Sequence, residues 1–163
     1  MKNTKSHNRS IILLTLLVGL ISQIMPWASS LYLFKPNWLL LILAYWILAL
    51  PHRVGIGTAF IIGIILDLFL GTVLGVHAFI FSLIAYLVLF RFQLLRNFAF
   101  WQQSFIIFGL SVLYHVLLFL FELAIYQSIT MSPTFLISSA IDALLWTWIF
   151  LLLRLIRRRF AIS

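Results

Sequence analysis

The sequence predicts an all-α, polytopic membrane protein of six transmembrane helices with both termini cytoplasmic. Three observations predict it. Of the 163 residues, 64% are hydrophobic and 9% charged, and the mean hydropathy of +1.18 lies far outside the range of a soluble domain. Apolar blocks recur from Ser10 to Leu153 in continuous, non-alternating runs. Such runs favour helices over barrel strands and leave no room for a separate globular domain. The cations fall at the ends of these blocks. There they act as topology signals and headgroup contacts, so a net charge of +8 is no nucleic-acid signature.

The spans read as about 10–27, 36–50, 55–70, 76–92, 104–126 and 134–153, forming one domain over residues 1–163. The first block competes with a cleaved signal peptide, but its apolar run is long and its cleavage motif poor. The second and third spans look short. Joining them would make a helix of about 50 Å, and "ALPHRVG" between them holds Pro51, His52, Arg53 and Gly55. A tight turn is the better reading. Pro36 and Pro133 sit where a first helical turn accepts proline, with Ser132 a candidate N-cap. "LGTVLG" breaks the chain after the third span. The fourth loop, "RFQLLRNFAFWQQ", alternates basic or amide groups with Leu, Phe and Trp. It is expected to extend the fourth helix and then lie on the inner leaflet, as an anchor or as a docking surface.

Orientation follows from the cations. Lys2, Lys5, Arg9, Arg53, Arg91, Arg96, Arg154, Arg157, Arg158 and Arg159 fall on one side, against Lys35 alone on the other. The positive-inside rule makes the crowded side cytoplasmic. The three acids then acquire depths. Asp67 lies late in the outward-running third span and Glu122 near the outer end of the fifth. Asp142 lies roughly 13 Å into the sixth by helical rise. All three belong to the outer half.

A carboxylate at mid-bilayer costs about 2.5–3.5 kcal/mol, so these acids must be paired, protonated or used. Candidate partners are His77, His115 and Lys35, the one cation against the orientation rule. Ser104, Ser111, His115 and Glu122 form a stripe on the fifth span, and Ser138, Ser139 and Asp142 share a face of the sixth. Ala59, Gly63, Asp67 and Gly71 recur every four residues, a seam of small residues open to a close helix. Asp67 is expected to accept hydrogen bonds that fix the Gly71–Gly75 turn. The plainer reading of all these groups is that they bond one another and hold the bundle together.

No cysteine is present, which removes disulfides, thiol nucleophiles and thiolate metal ligands. The histidines, at 7, 52, 77 and 115, form no H-E-x-x-H, and neither G-x-S-x-G nor a P-loop occurs. No catalytic activity, cofactor, metal or small-molecule substrate is therefore expected. A small-solute transporter, or a substrate-binding membrane subunit using the outer-half acids, is the competing reading.

Five stretches carry a resemblance: "QIMPW", "KPNWLLLILAYWILALPHRVGIGTAF", "GIILDLFLGTVLG", "YLVLFRFQLLRNFAFWQQ" and "WIFLLLR". Over almost its whole length the chain resembles the MreD family of bacterial rod shape-determining proteins, its enterobacterial branch above all. Asp67, Gly71 and Gly75 match the family's Asp-Gly-Gly pattern and Pro36 its proline, while Lys35 stands where the family has Arg. Asp142 and His115 match no position carried over from the family, so any role for them rests on the residues themselves. The resemblance implies a non-enzymatic part of the machinery that builds lateral cell wall in the bacterial inner membrane. It also implies partners: MreC, the actin-like MreB, and RodA with its transpeptidase. The family's spans look like those of energy-coupling-factor transporter substrate-binding subunits, an analogy of fold.

Overall fold

The computed structural model describes residues 3–27, 34–126 and 133–160. These form seven helices, with no strand among the described residues: α1 (Asn3–Ile24), α2 (Trp38–Ala49), α3 (Ile56–Leu70), α4 (Val76–Phe90), α5 (Phe92–Asn97), α6 (Phe100–Tyr126) and α7 (Phe135–Arg159). Two stretches, Phe100–Ile125 and Phe135–Arg159, are long and apolar enough to cross a membrane, and four shorter apolar helices accompany them.

Several helix ends differ from the span limits read from the sequence, beginning with α1, which starts at Asn3 rather than near residue 10. Helix α4 ends at Phe90 rather than running on through the fourth loop. Arg91 leaves helical geometry (φ −118°, ψ 17°), and α5 starts afresh after it. Helix α6 begins four residues early, at Phe100, because Ala99 N–H is capped by the Gln102 side chain at 3.1 Å. Helix α7 continues to Arg159, since nothing in "LIRR" breaks it. Pro36 precedes the helix instead of occupying its first turn; the N-cap is Asn37, whose side chain accepts the Leu40 N–H at 3.3 Å. Thr134 takes the cap position of α7; Ser132 lies outside the described residues.

The core is organised around α2. Leu39 through Leu48 are all buried, an enclosure that a helix apolar on every side tolerates, and α1, α4, α5 and α7 pack on it. Two indole N–H groups, which need acceptors when buried, tie the layers together. Trp46 donates to Thr15 of α1 at 2.8 Å, and Trp146 of α7 donates to Gln103 of α6 at 3.2 Å. The outside is apolar as well. Leu68, Phe105, Leu144, Trp148 and Leu155 all stand well exposed, a surface suited to lipid.

The shortness of α2 creates space at both ends of the bundle. Twelve residues rise about 18 Å, whereas the 27 residues of α6 rise about 40 Å. A short central helix flanked by α1 and α7, of 22 and 25 residues, leaves a recess at each of its ends.

Candidate functional site

The first recess is a cavity of about 410 Å³ at the N-terminal end of α2. Lys35, Asn37, His77, His115, Glu122 and Ser138 are among its lining. Asp67 and Asp142 are not. Both are fully buried behind the wall, and each is spent on the N-terminus of a helix other than its own.

Asp67 sits near the end of α3. Gly71 closes that helix with φ +66° and Gly75 opens α4 with φ +103°, left-handed geometries that suit glycine. The turn between them folds the start of α4 back onto the Asp67 side chain. Its Oδ2 accepts the N–H of Gly75 at 2.9 Å and of Ala78 at 3.4 Å. Its Oδ1 accepts the His77 N–H at 3.2 Å and the Thr72 hydroxyl at 2.9 Å, with His77 Nδ1 at 2.7 Å. A helix leaves its first N–H groups without internal partners, and Gly75 brings no side chain to cap them. Asp67 supplies the missing cap from the preceding helix, with its charge at the positive end of the dipole. An ionised carboxylate also fixes the proton of His77 on Nδ1.

Asp142 repeats the solution on α7. Its Oδ1 accepts the N–H of Asn37, the N-cap of α2, at 2.7 Å, and its Oδ2 accepts the Ser111 hydroxyl of α6 at 2.5 Å. One carboxylate thus joins three helices. His115 Nδ1 lies 2.8 Å from the Ser111 carbonyl and donates to it. Lys35 Nζ donates to the Met25 carbonyl at 3.4 Å, and partial burial lowers its pKa below the usual lysine value.

The expected outer cluster is thereby divided. Lys35, His77, His115 and Glu122 share the cavity, while the two aspartates brace its wall. Among the described residues, no three His, Asp or Glu side chains converge as metal ligands. The small-residue seam does receive a close helix. A Cβ on Gly63 would lie 2.3 Å from Ala78 Cα, so the helix received there is α4 of this chain, and no foreign helix fits. Asn37 and Gln103 escaped the sequence reading. Asn37 lies 105 residues from its carboxylate, and Gln103 looked like one more amide at a helix end.

At the opposite end, Arg154, Arg157 and the exposed Arg96 border a second recess, and Arg91, Arg158 and Arg159 are exposed outside it.

An apolar-surfaced helical bundle, polar at its two ends and braced by buried carboxylates, defines a helical membrane protein. The chain belongs to the MreD family of rod shape-determining proteins. The family model described as rod shape-determining protein MreD matches residues 4–156. The rod shape-determining protein MreD of Haemophilus influenzae is 36% identical over 148 residues, covering 91% of each chain. No solved structure matches. A role in rod shape determination follows from the family.

Proposed function

We propose that this protein is a non-enzymatic, six-span scaffold of the bacterial inner membrane that supports lateral peptidoglycan synthesis. It does so by binding the transmembrane helix and juxtamembrane segment of MreC. The cavity end faces the periplasm and the arginine end the cytoplasm, toward MreB or anionic lipid, with RodA and its transpeptidase as further partners. One observation carries the reading: the acid-bearing cavity is rigidly braced, yet it is closed off from the opposite recess by α2, whose middle is buried throughout. A transporter must open its site alternately to both sides. A scaffold needs a fixed surface.

With the Gly63 seam filled, the docking surface is the cavity mouth and the adjoining α3–α4 corner. Leu68, Phe69, Val73 and Leu74 are exposed at that corner. Shorter helices α2, α3 and α4 still cross because longer neighbours and a locally thinned bilayer accommodate them.

Two measurements check this. Reporters fused near Thr72 are expected to read periplasmic, and those near Arg96 or after Arg159 cytoplasmic; a periplasmic C-terminus overturns the orientation. Photocrosslinkers at Gly71, Val73 and Glu122 are expected to capture MreC in living cells. No capture at any of the three, together with solute uptake by the purified protein in vesicles, overturns the scaffold.

A further inference from the structure

The second recess, of about 240 Å³, opens at the C-terminal end of α2 between α5, α6 and α7. Arg96, Arg154 and Arg157 border it, and so does Tyr45. Tyr45 is 1% exposed, and its hydroxyl has no hydrogen-bond partner. A buried hydroxyl left unpaired costs about 1–3 kcal/mol, which a ligand oxygen would recover. The three guanidinium groups form no ion pair among the described residues. The chain has only three acids, and Asp67, Glu122 and Asp142 all belong to the other end. The C-terminal dipole of α2 offsets only about half a charge. A surplus of more than two positive charges therefore converges on one recess beside an unpaired donor.

The walls of the recess are fixed by their own hydrogen bonds. Gln103 spends both N–H groups on the carbonyls of Leu95 and Phe98, each at 3.1 Å, and its oxygen on Trp146. This pins the α5–α6 linker to α7 and leaves Gln103 nothing for a ligand. Drug-sized molecules need about 300–1,000 Å³; 240 Å³ suits a single headgroup. Phe100 forms part of the recess and also of a second groove, apolar and about 820 Å³, that runs between α6 and α7. Trp101, Phe105, Ala140, Ala143 and Leu144 line it. A basic pocket that shares its Phe100 wall with an apolar groove matches an amphiphile with a charged head.

We propose that this recess binds the phosphate headgroup of an anionic phospholipid, with one acyl chain laid in the α6–α7 groove. Arg96, Arg154 and Arg157 supply charge-assisted hydrogen bonds to the phosphate oxygens and the Tyr45 hydroxyl donates a further one. The lipid would lock α5 and α6 against α7 at the arginine end. The inference rests on the proposed orientation, which sets this end at the cytoplasmic headgroup layer.

The test uses the full chain in phosphatidylcholine vesicles doped with spin-labelled phosphatidylglycerol. Electron paramagnetic resonance reads the immobilised lipid. The parent is expected to retain phosphatidylglycerol over phosphatidylcholine, and R96Q/R154Q to weaken that preference roughly tenfold or more. Tyr45→Phe is expected to weaken it by less, and Ala143→Trp to displace the chain by filling the groove. R158Q/R159Q removes the same charge from positions outside the recess, and its preference should stay within about twofold of the parent, since diffuse attraction is screened. Equal losses in the two double variants overturn a built site. Displacement of the labelled lipid by millimolar inorganic phosphate assigns the recess to a soluble anion and overturns the lipid. Arg96 is exposed on a short helix, so its single change to Gln keeps the test free of folding defects. Crosslinking to MreC at Glu122 reads the opposite end of the bundle, and its survival separates failure here from failure of the scaffold.

Discussion

Gly63→Ala is expected to abolish rod shape support and to destabilise the protein by about 3 kcal/mol or more, although it adds a single methyl group. The added Cβ would stand 2.3 Å from Ala78 Cα, 2.5 Å from Ala78 N and 2.8 Å from the His77 carbonyl carbon. These are backbone atoms, so no rotamer change relieves the clash. Ordinary carbon contacts lie near 3.5–4.0 Å, which forces α3 and α4 apart by about 1 Å. Overpacking alone costs about 1–3 kcal/mol. The same displacement lifts the Gly75, His77 and Ala78 N–H groups away from Asp67, which lies one turn further along α3. Gly57, on the same helix, has nothing within 4 Å of the place its methyl group would take. Gly57→Ala should therefore be neutral or stabilising by up to about 1 kcal/mol, through helix propensity. Thermal unfolding in detergent and cell shape at matched abundance check the pair. Equal behaviour of the two variants refutes the close α3–α4 seam.

The seam shows what kind of information a single sequence holds. Four-residue spacing of Ala59, Gly63, Asp67 and Gly71 marked a face where some helix comes close, because that periodicity is local. Which helix arrives is a tertiary matter. The "GTVLG" turn decides it by returning the chain on itself, and only the geometry at Gly71 and Gly75 reveals that α4, not a partner, fills the groove. Helix ends were legible wherever Gly or Pro punctuates the chain. They were illegible at Arg91, which breaks α4 with no breaker residue. The Asp142–Asn37 bond escaped for another reason. Neither residue has a periodic or motif signal, and their pairing depends on α2 and α7 lying side by side. That α2 is the core was not written in its composition. Twelve residues without a charge or a polar face suit lipid as well as protein, and α2 is central because four other helices pack on it.

Asp67→Ala is expected to be among the most damaging single substitutions, with the near-isosteric Asp67→Asn intermediate. Alanine strands the N–H groups of Gly75, His77 and Ala78, the Thr72 hydroxyl and the His77 ring. Loss of a cap costs about 0.5–2 kcal/mol, and each buried donor left unmet about 1–3. Thr72 is exposed and can find another partner, which softens part of this, so a net loss of about 3 kcal/mol is expected. Asparagine caps helices as well as aspartate does, but offers one oxygen where the carboxylate offers two. Its best pose keeps that oxygen on the Gly75 and Ala78 N–H groups and turns the amide nitrogen toward Oδ1's partners. Thr72 can rotate its hydroxyl and His77 can move its proton to Nε2, so both become acceptors; only the His77 backbone N–H stays unmet. A loss of about 1–2 kcal/mol follows. The apolar helices insert in either variant. The difference should emerge in thermal stability and in rod shape at equal abundance, with Asn well above Ala. Equal damage by the two would mean that the charge paired with His77 matters beyond capping. An Asp67→Ala variant as stable as the parent would remove the cap from any account of this fold.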